Sequence, residues 1–274
     1  MDTSKDIYDK IYAFNSNYNF HYPPKDVIVD LYAKSVGGYI LDAGCGQGIH
    51  LRRMLENGID AFGIEISTIC CQKYLGGLPH ENIDICSFAS QSERLFNGIV
   101  CCDVLEHIPL GRLDETIESL TSLAPSALLG LANHSDIQCG EELHLIQEDI
   151  EWWTRKLSLF YSFVYPVASY FDGKFFCVEV SQLSSIDQLE SKWRRENGSV
   201  LQLANAFDVY WNNNQSIATQ HQALQAKHQA LQAQHQALQA LHRTLQTQHQ
   251  ALLDSKMVRI SNKLKKIIGK PACE

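Results

Sequence analysis

The stretch from Gly38 to Ser67, GYILDAGCGQGIHLRRMLENGIDAFGIEIS, restricts this chain more than any other. A short apolar run enters a glycine-rich turn, a helical pattern follows, and a second apolar run ends in an acid. That order predicts a strand, a turn, a helix and a second strand, the opening unit of an α/β sheet. The turn Asp42-Ala43-Gly44-Cys45-Gly46-Gln47-Gly48 lets backbone approach a ligand closely at the carboxyl end of the first strand, where open α/β sheets bind cofactors. Glu65 follows 17 residues after Gly48, where a carboxylate can accept hydrogen bonds from two ribose hydroxyls.

Glycine spacing separates two classes of nucleotide cofactor. A dinucleotide fingerprint needs a third glycine three residues after the second, and Ile49 stands there. The observed D-x-G-x-G-x-G instead resembles motif I of the class I S-adenosylmethionine-dependent methyltransferases. Further matches follow in the expected order. Asn82-Ile83-Asp84-Ile85 is similar to that family's third strand, and Gly98 to Pro109, ending in DVLEHIP, is similar to its fourth strand and motif IV. Ser126 to Asn133 fits the fifth strand and Gln147 to Leu159 the next helix. Tyr161 to Tyr170 and Lys174 to Gln182 read as a closing hairpin turned at Asp172-Gly173. The resemblance covers roughly residues 30 to 182 and implies a Rossmann-like seven-stranded sheet.

It also implies a site. S-adenosylmethionine would lie against Asp42, Gly44, Cys45, Gly46, Gly48, Glu65, Ile66, Asp84, Ile85 and Asp103, with the acid at 84 meeting the adenine amino group. A methyl group on sulfonium is already reactive, so the protein must align the acceptor and help remove a hydroxyl proton. His107, His134 and His144 stand near the expected ends of strands four and five; His107 and His144, with Asp103, are the catalytic candidates. Asp103, Glu106 and His107 also form D-x-x-E-H, which in some methyltransferases of small molecules and RNA ends coordinates a divalent cation. Mg²⁺ is thus a second cofactor candidate that could lower a hydroxyl's pKa, although no metal ligands are assigned. Cys139 and His144 lack the partners a zinc site requires. Trp152 and Trp153 suit either a sugar-binding floor or a core.

Charge is unevenly spread. Residues 1–219 hold 15 Lys and Arg against 29 Asp and Glu, whereas residues 254–274 hold six bases against two acids. An acidic globular part argues against a nucleic-acid partner, since phosphate binding needs a cationic surface. Nine cysteines without paired spacing indicate a reducing cytoplasm, and the polar start with no long apolar run indicates neither a signal peptide nor a membrane span.

The rest of the chain is repetitive. Leu224, Leu231, Leu238, Leu245 and Leu252 recur every seven residues, as do His221, His228, His235, His242 and His249, among good helix formers. This is a coiled-coil period, predicting a homo-oligomer. With leucine at d, histidine takes a; with leucine at a, d is Lys227, Gln234, Leu241 and Gln248, so either register carries polar layers. Beyond it, Met257, Ile260, Leu264, Ile267 and Ile268 share a helical face while six bases lie mostly elsewhere, a basic amphipathic helix suited to an anionic leaflet. SKMVRISNKLK is similar to a segment that follows coiled coils in bacterial surface-polysaccharide enzymes, with Val258 in place of its tryptophan and Lys263 in place of its proline.

These observations predict a methyltransferase domain over residues 1–182, a helical connector over 183–214, a coiled coil over 215–254 and a membrane-surface helix over 255–274. The whole resembles the O-antigen methyltransferases, implying methylation of a sugar hydroxyl by a cytoplasmic enzyme peripheral to the inner membrane face. Two alternatives stay open: O-methylation of a small quinone-like molecule, and a non-catalytic scaffold.

Overall fold

The computed structural model describes residues 4–15, 18, 22–183 and 186–268, with only the backbone considered at 186–197, 199–219, 261 and 264–268. The chain divides into two compact units, Met1–Asn212 and Asn213–Glu274.

The first unit begins with helices α1 (Ser4–Phe14) and α2 (Pro23–Val36). Strand and helix then alternate through β1 (Tyr39–Ala43), α3 (Ile49–Glu56), β2 (Asp60–Glu65), α4 (Thr68–Tyr74), β3 (His80–Asn82), α5 (Ile85–Gln91), β4 (Gly98–Cys102), α6 (Leu110–Leu123) and β5 (Ser126–Ala132). A two-stranded ribbon, β6 (Ile137–Gln138) and β7 (Glu141–Glu142), leads to α7 (Ile150–Leu157) and the hairpin of β8 (Phe163–Tyr170) and β9 (Phe175–Ser181). Seven strands form one sheet in the order β3-β2-β1-β4-β5-β9-β8, with β9 antiparallel to β5 and the first five strands parallel.

The sheet is apolar on both faces, so its central strands read as continuous hydrophobic runs rather than alternating ones. Leu41, Ile99, Cys101, Ala127 and Leu129 belong to a cluster that includes α5, α6 and α7 side chains, whereas Ile40, Val100 and Leu128 belong to one that includes α2 and α3 side chains. Parallel order reverses beside β1, where β2 lies on one side and β4 on the other. Ligands of open sheets bind at such a switch point, outside the carboxyl ends of the strands.

Several sequence expectations shift in detail. The third strand ends at Asn82, not Ile85, because the Asp84 side chain accepts from the Ser87 amide and caps α5. The helix expected over Gln147–Leu159 is shorter, starting after Asp149, which caps it by accepting from the Trp152 amide. The hairpin stands within a few residues of its expected limits and is turned by left-handed backbone at Phe171, Asp172 and Gly173. Trp153 is fully buried in the core and Trp152 is packed beside it, edge to face.

A single helix, α8 (Ile186–Ile268), covers most of the expected connector, the repeat and most of the expected tail without a break. In the second unit Leu224, Leu231, Leu238, Leu245 and Leu252 are 55–66% exposed. His228 and His235 each contact a glutamine one turn on, Gln232 and Gln239. Among the described residues no helix is long and apolar enough to cross a membrane. The tail residues Leu264, Ile267 and Ile268 lie outside those whose side chains are described.

Trp153→Ala should lower the unfolding free energy of the first unit by about 3–5 kcal/mol, the cost of truncating a fully buried aromatic. Trp152→Ala should cost clearly less. Urea unfolding followed by tyrosine absorbance compares them, and equal losses would contradict this packing.

Candidate functional site

The site is built from the loops that leave β1, β2 and β4. After β1 the chain folds back on β2, with the Gly44 and Cys45 amides both donating to the Ile64 carbonyl at 2.9 Å. Gly44 has φ +77°, and a Cβ there would stand 2.4 Å from Val104 Cγ2. Gly48, the left-handed N-cap of α3, is similarly closed off by Leu75 and Leu78. Both positions therefore need glycine.

Glu65 ties this loop to its neighbour. Its Oε2 accepts from the Gly46 amide at 3.0 Å and its Oε1 from the Ser67 amide at 2.8 Å. The side chain is only 6% exposed. Burial pushes its carboxyl above the ordinary range, while the amides of Ser67, Gly46 and Ile66 pull the other way. A carboxylate offers about four lone-pair sites, more than these amides use, so acceptor capacity for a ligand remains. Asn82 braces the same corner, its Nδ2 donating to the carbonyls of Glu65 and Ile66 at 2.7 and 3.0 Å. Asp84 and Ile85 stand next along the chain, and the Asp84 carboxylate accepts from both the amide and the hydroxyl of Ser87.

Asp42 lies at the root of the turn, and its Oδ2 is buried without a hydrogen-bond partner among the described residues. Burial raises its carboxyl to about 6, against the pull of His50, the Leu51 amide and Lys25. A buried acceptor of this kind is paid for in folding free energy unless a donor arrives.

Motif IV follows β4. Asp103 has a left-handed φ of 56°, uncommon for a residue with a side chain, and its amide donates to the Gly130 carbonyl at 2.9 Å. Its carboxylate is paired with Lys25 of α2. Burial opposes charge on both groups, yet their mutual attraction outweighs it, holding Asp103 below and Lys25 above their ordinary ranges. Glu106 is fully buried, with Oε1 accepting from the Ala132 amide at 3.0 Å and Oε2 without a partner among the described residues. Asp103 thus turns to Lys25, so the expected Asp103-Glu106-His107 set does not form as one ligand group. Glu106, His107 and His144 do come together, one potential ligand atom from each lying within 4.8 Å of the others.

The histidines are fixed by carbonyls. His107 Nδ1 lies 3.0 Å from the Leu143 carbonyl, and His144 Nδ1 contacts the His134 carbonyl. A carbonyl only accepts, so each Nδ1 carries the proton and each Nε2 keeps its lone pair. The rings meet with centroids 4.7 Å apart. Burial, then the neighbouring His144, lowers His107 to about 4, and burial lowers His144 as well. His134 packs against His144 and Phe175.

Sequence inspection missed α1, Lys25 and Asn82. Asp9 accepts from the Ser67 hydroxyl at 2.7 Å and the Ile69 amide at 3.0 Å, so α1 is fastened beside Glu65. Tyr8, on the same helix, meets His107 edge-on with centroids 5.9 Å apart. Lys25 follows a Pro-Pro helix start that marks α2 but says nothing of Asp103.

These features agree with comparisons against known proteins. A methyltransferase-domain family model matches residues 19–180. The chain is 32% identical over 92 residues to a ubiquinone biosynthesis O-methyltransferase of Alkalilimnicola ehrlichii, a match covering 30% of this chain and 37% of that relative. Among solved structures, a SAM-dependent methyltransferase from Archaeoglobus fulgidus is similar with TM-score 0.50 and 13% identity, covering 62% of this chain and 98% of that one. Magnesium protoporphyrin IX methyltransferase from Synechocystis, solved with bound SAM, is similar with TM-score 0.47 and 17% identity over 66% of this chain and 98% of that one. The fold is that of the S-adenosylmethionine-dependent methyltransferases. The chain belongs to the methyltransferase-domain family.

Asp42 generates a pH test. Its carboxyl titrates near 6 when folded against an ordinary 3.8, so the folding penalty is absent below pH 3.8, grows between these values and is complete above pH 6. Asp42→Asn should therefore stabilise the ligand-free protein at pH 8 by an amount on the order of 3 kcal/mol and leave stability at pH 3.5 nearly unchanged. Thermal melts at the two pH values measure this; equal shifts at both would contradict the assignment. Glu65→Ala should weaken S-adenosylhomocysteine binding at least tenfold, read by calorimetry, and unchanged affinity would remove Glu65 from the ribose site.

Proposed function

We propose that this chain transfers a methyl group from S-adenosylmethionine to a hydroxyl oxygen, most naturally on a sugar of a bacterial surface polysaccharide. The observation that carries the hydroxyl assignment is the cluster of one buried imidazole, one half-buried imidazole and one buried carboxyl group beside motif IV. Both imidazoles hold Nδ1 protonated against carbonyls, which keeps Nε2 available to a hydroxyl group.

Bound S-adenosylmethionine would supply an electrophilic methyl carbon on sulfonium. Glu65, held by Gly46 and Ser67, would take the ribose diol; Asp42, Gly44, Cys45, Gly48 and Ile66 would line the same cofactor cradle, and Asp84 and Ile85 would meet the adenine. Asp103, bound to Lys25, would form the edge facing the methionine portion. His107 and His144 would orient the acceptor hydroxyl and weaken its hold on the proton, while Tyr8 and α1 exclude water. The acceptor oxygen would form its bond to the methyl carbon as the sulfur–carbon bond breaks, its proton passing to an imidazole Nε2 and the former sulfonium leaving as a neutral thioether.

The repeat supports the sugar assignment. Leucines spaced by sevens and exposed along a lone helix suit association with further copies, in which the polar histidine layers would weaken the bundle while selecting its register. We propose that this assembly holds the catalytic unit at a set distance from an anionic membrane surface touched by the basic tail, as a spacer acting on a growing glycan. A quinone-like acceptor is the second reading, favoured by the partial match to the ubiquinone biosynthesis O-methyltransferase.

Radiolabelled methyl from S-adenosylmethionine should enter the polysaccharide-containing fraction of a bacterial extract; label confined to extractable quinones would favour the second reading. Deleting residues 228–234 would shorten the helix by about 10 Å. If the spacer sets reach, product chain length should shift while turnover on a short soluble sugar acceptor stays the same; unaltered length would refute the spacer.

A further inference from the structure

We propose that the cleft shared by the start of α2 and the β8–β9 turn is the acceptor subsite, and that it holds a single pyranose ring by its apolar face. The proposal deepens the methyl-transfer reading and rests on it.

The lining is the first ground. The cleft holds about 400 Å³ of empty space, its open mouth included, and Tyr22, Phe171, Phe175 and Leu131 supply much of its wall. Lys25 and Asp103 are the charged residues in that wall. Small-molecule sites have this makeup, an apolar surface that supplies contact area and a few polar groups that fix orientation. A pyranose matches both parts. One face of the ring is a patch of C–H bonds that can lie on an aromatic ring, and hydroxyls that both donate and accept project from its edge.

The polar groups are the second ground. Asp103 gives one carboxylate oxygen to Lys25, while its Oδ1 is buried with no hydrogen-bond partner among the described residues. An ammonium has three N–H donors, and Asp103 takes one of those on Lys25. The pair can therefore accept a hydrogen bond from one ring hydroxyl and donate one to its neighbour. A purely apolar ligand would displace water and leave Oδ1 without a donor.

Continuity with the imidazoles is the third ground. Tyr22 packs on Phe171 with ring centroids 4.9 Å apart, Phe171 on Phe175 at 5.7 Å, and Phe175 on His134 at 4.7 Å. His134 in turn meets His144 at 4.8 Å. This row of rings joins the cleft to the imidazoles assigned to the acceptor hydroxyl, while Asp103 stands where the methionine portion of the cofactor is proposed. Phe171 also has a left-handed φ of 51°, which a bulky aromatic rarely adopts. Residues held in such backbone collect at ligand sites.

The test uses the full chain loaded with S-adenosylhomocysteine and ligand-detected saturation-transfer NMR. The probes are methyl glycosides of gluco, galacto and manno configuration and their 6-deoxy forms, with catechol for comparison. Phe171→Asn removes the ring yet tolerates left-handed backbone, and Phe175→Leu keeps apolar bulk without a ring face. At least one glycoside should receive saturation chiefly at the C–H protons of one ring face, and that signal should fall at least threefold in both variants. Their affinity for S-adenosylhomocysteine should stay within twofold of the wild type, which shows that they fold. In transfer assays on the same glycoside KM should rise at least fivefold, a larger change than in kcat. Glycoside signals equal in the wild type and both variants, or binding of catechol with no glycoside bound, would overturn the subsite, and so would binding of neither probe. A glycoside that binds here but receives no methyl group would count against the methyl-transfer reading alone, since the NMR signal needs no turnover.

Discussion

A buried carboxylate shared between two loops is the constraint on which the rest of the catalytic unit depends. Glu65 ends β2 and receives one amide from the glycine turn after β1 and one from the turn before α4. Without it the two loops would have no common acceptor, and the Gly46 and Ser67 amides would lose their partner. Burying a carboxylate costs several kcal/mol, which two charge-assisted hydrogen bonds offset only in part. Asp9 extends the arrangement by fastening α1 to Ser67, so the helix that carries Tyr8 to His107 is anchored at the same corner as Glu65.

A second expense lies at the ends of β1 and β4. Asp103 stands in left-handed backbone, Asp42 and Glu106 each keep an oxygen without a partner among the described residues, and all three are acidic. A core selected for stability alone would not gather such groups. Lys25 compensates one of them, and the others are the sort of unsatisfied group expected where a ligand is to be met.

Much of this was legible before any coordinates. Period and punctuation in residues 38–67 reported a strand, a left-handed turn and a helix because only glycine tolerates φ near +77° with Val104 against its α carbon. Glu65 could be named because it ends the second apolar run, and His107 and His144 because they stand in the loops expected after the fourth and fifth strands. The rest depended on contacts between segments far apart in sequence. Lys25 meets Asp103 across 78 residues and Asp9 meets Ser67 across 58, and neither pair leaves a local pattern. The end of β3 was misplaced since Asn82-Ile83-Asp84-Ile85 alternates like a strand, and only the cap that Asp84 makes with Ser87 shows where the helix begins. In the repeat the opposite holds. Its period is plain in the letters, and a lone chain exposes the leucines whose partners the spacing implies.

The account stands on the cradle formed by Asp42, the glycine turn and Glu65. Isothermal titration of the full chain with S-adenosylhomocysteine tests it most directly. A saturable heat corresponding to about one ligand per chain is the predicted result, as a single switch point offers a single cradle. Absence of heat with both this ligand and S-adenosylmethionine, from protein whose circular dichroism shows it folded, would contradict it.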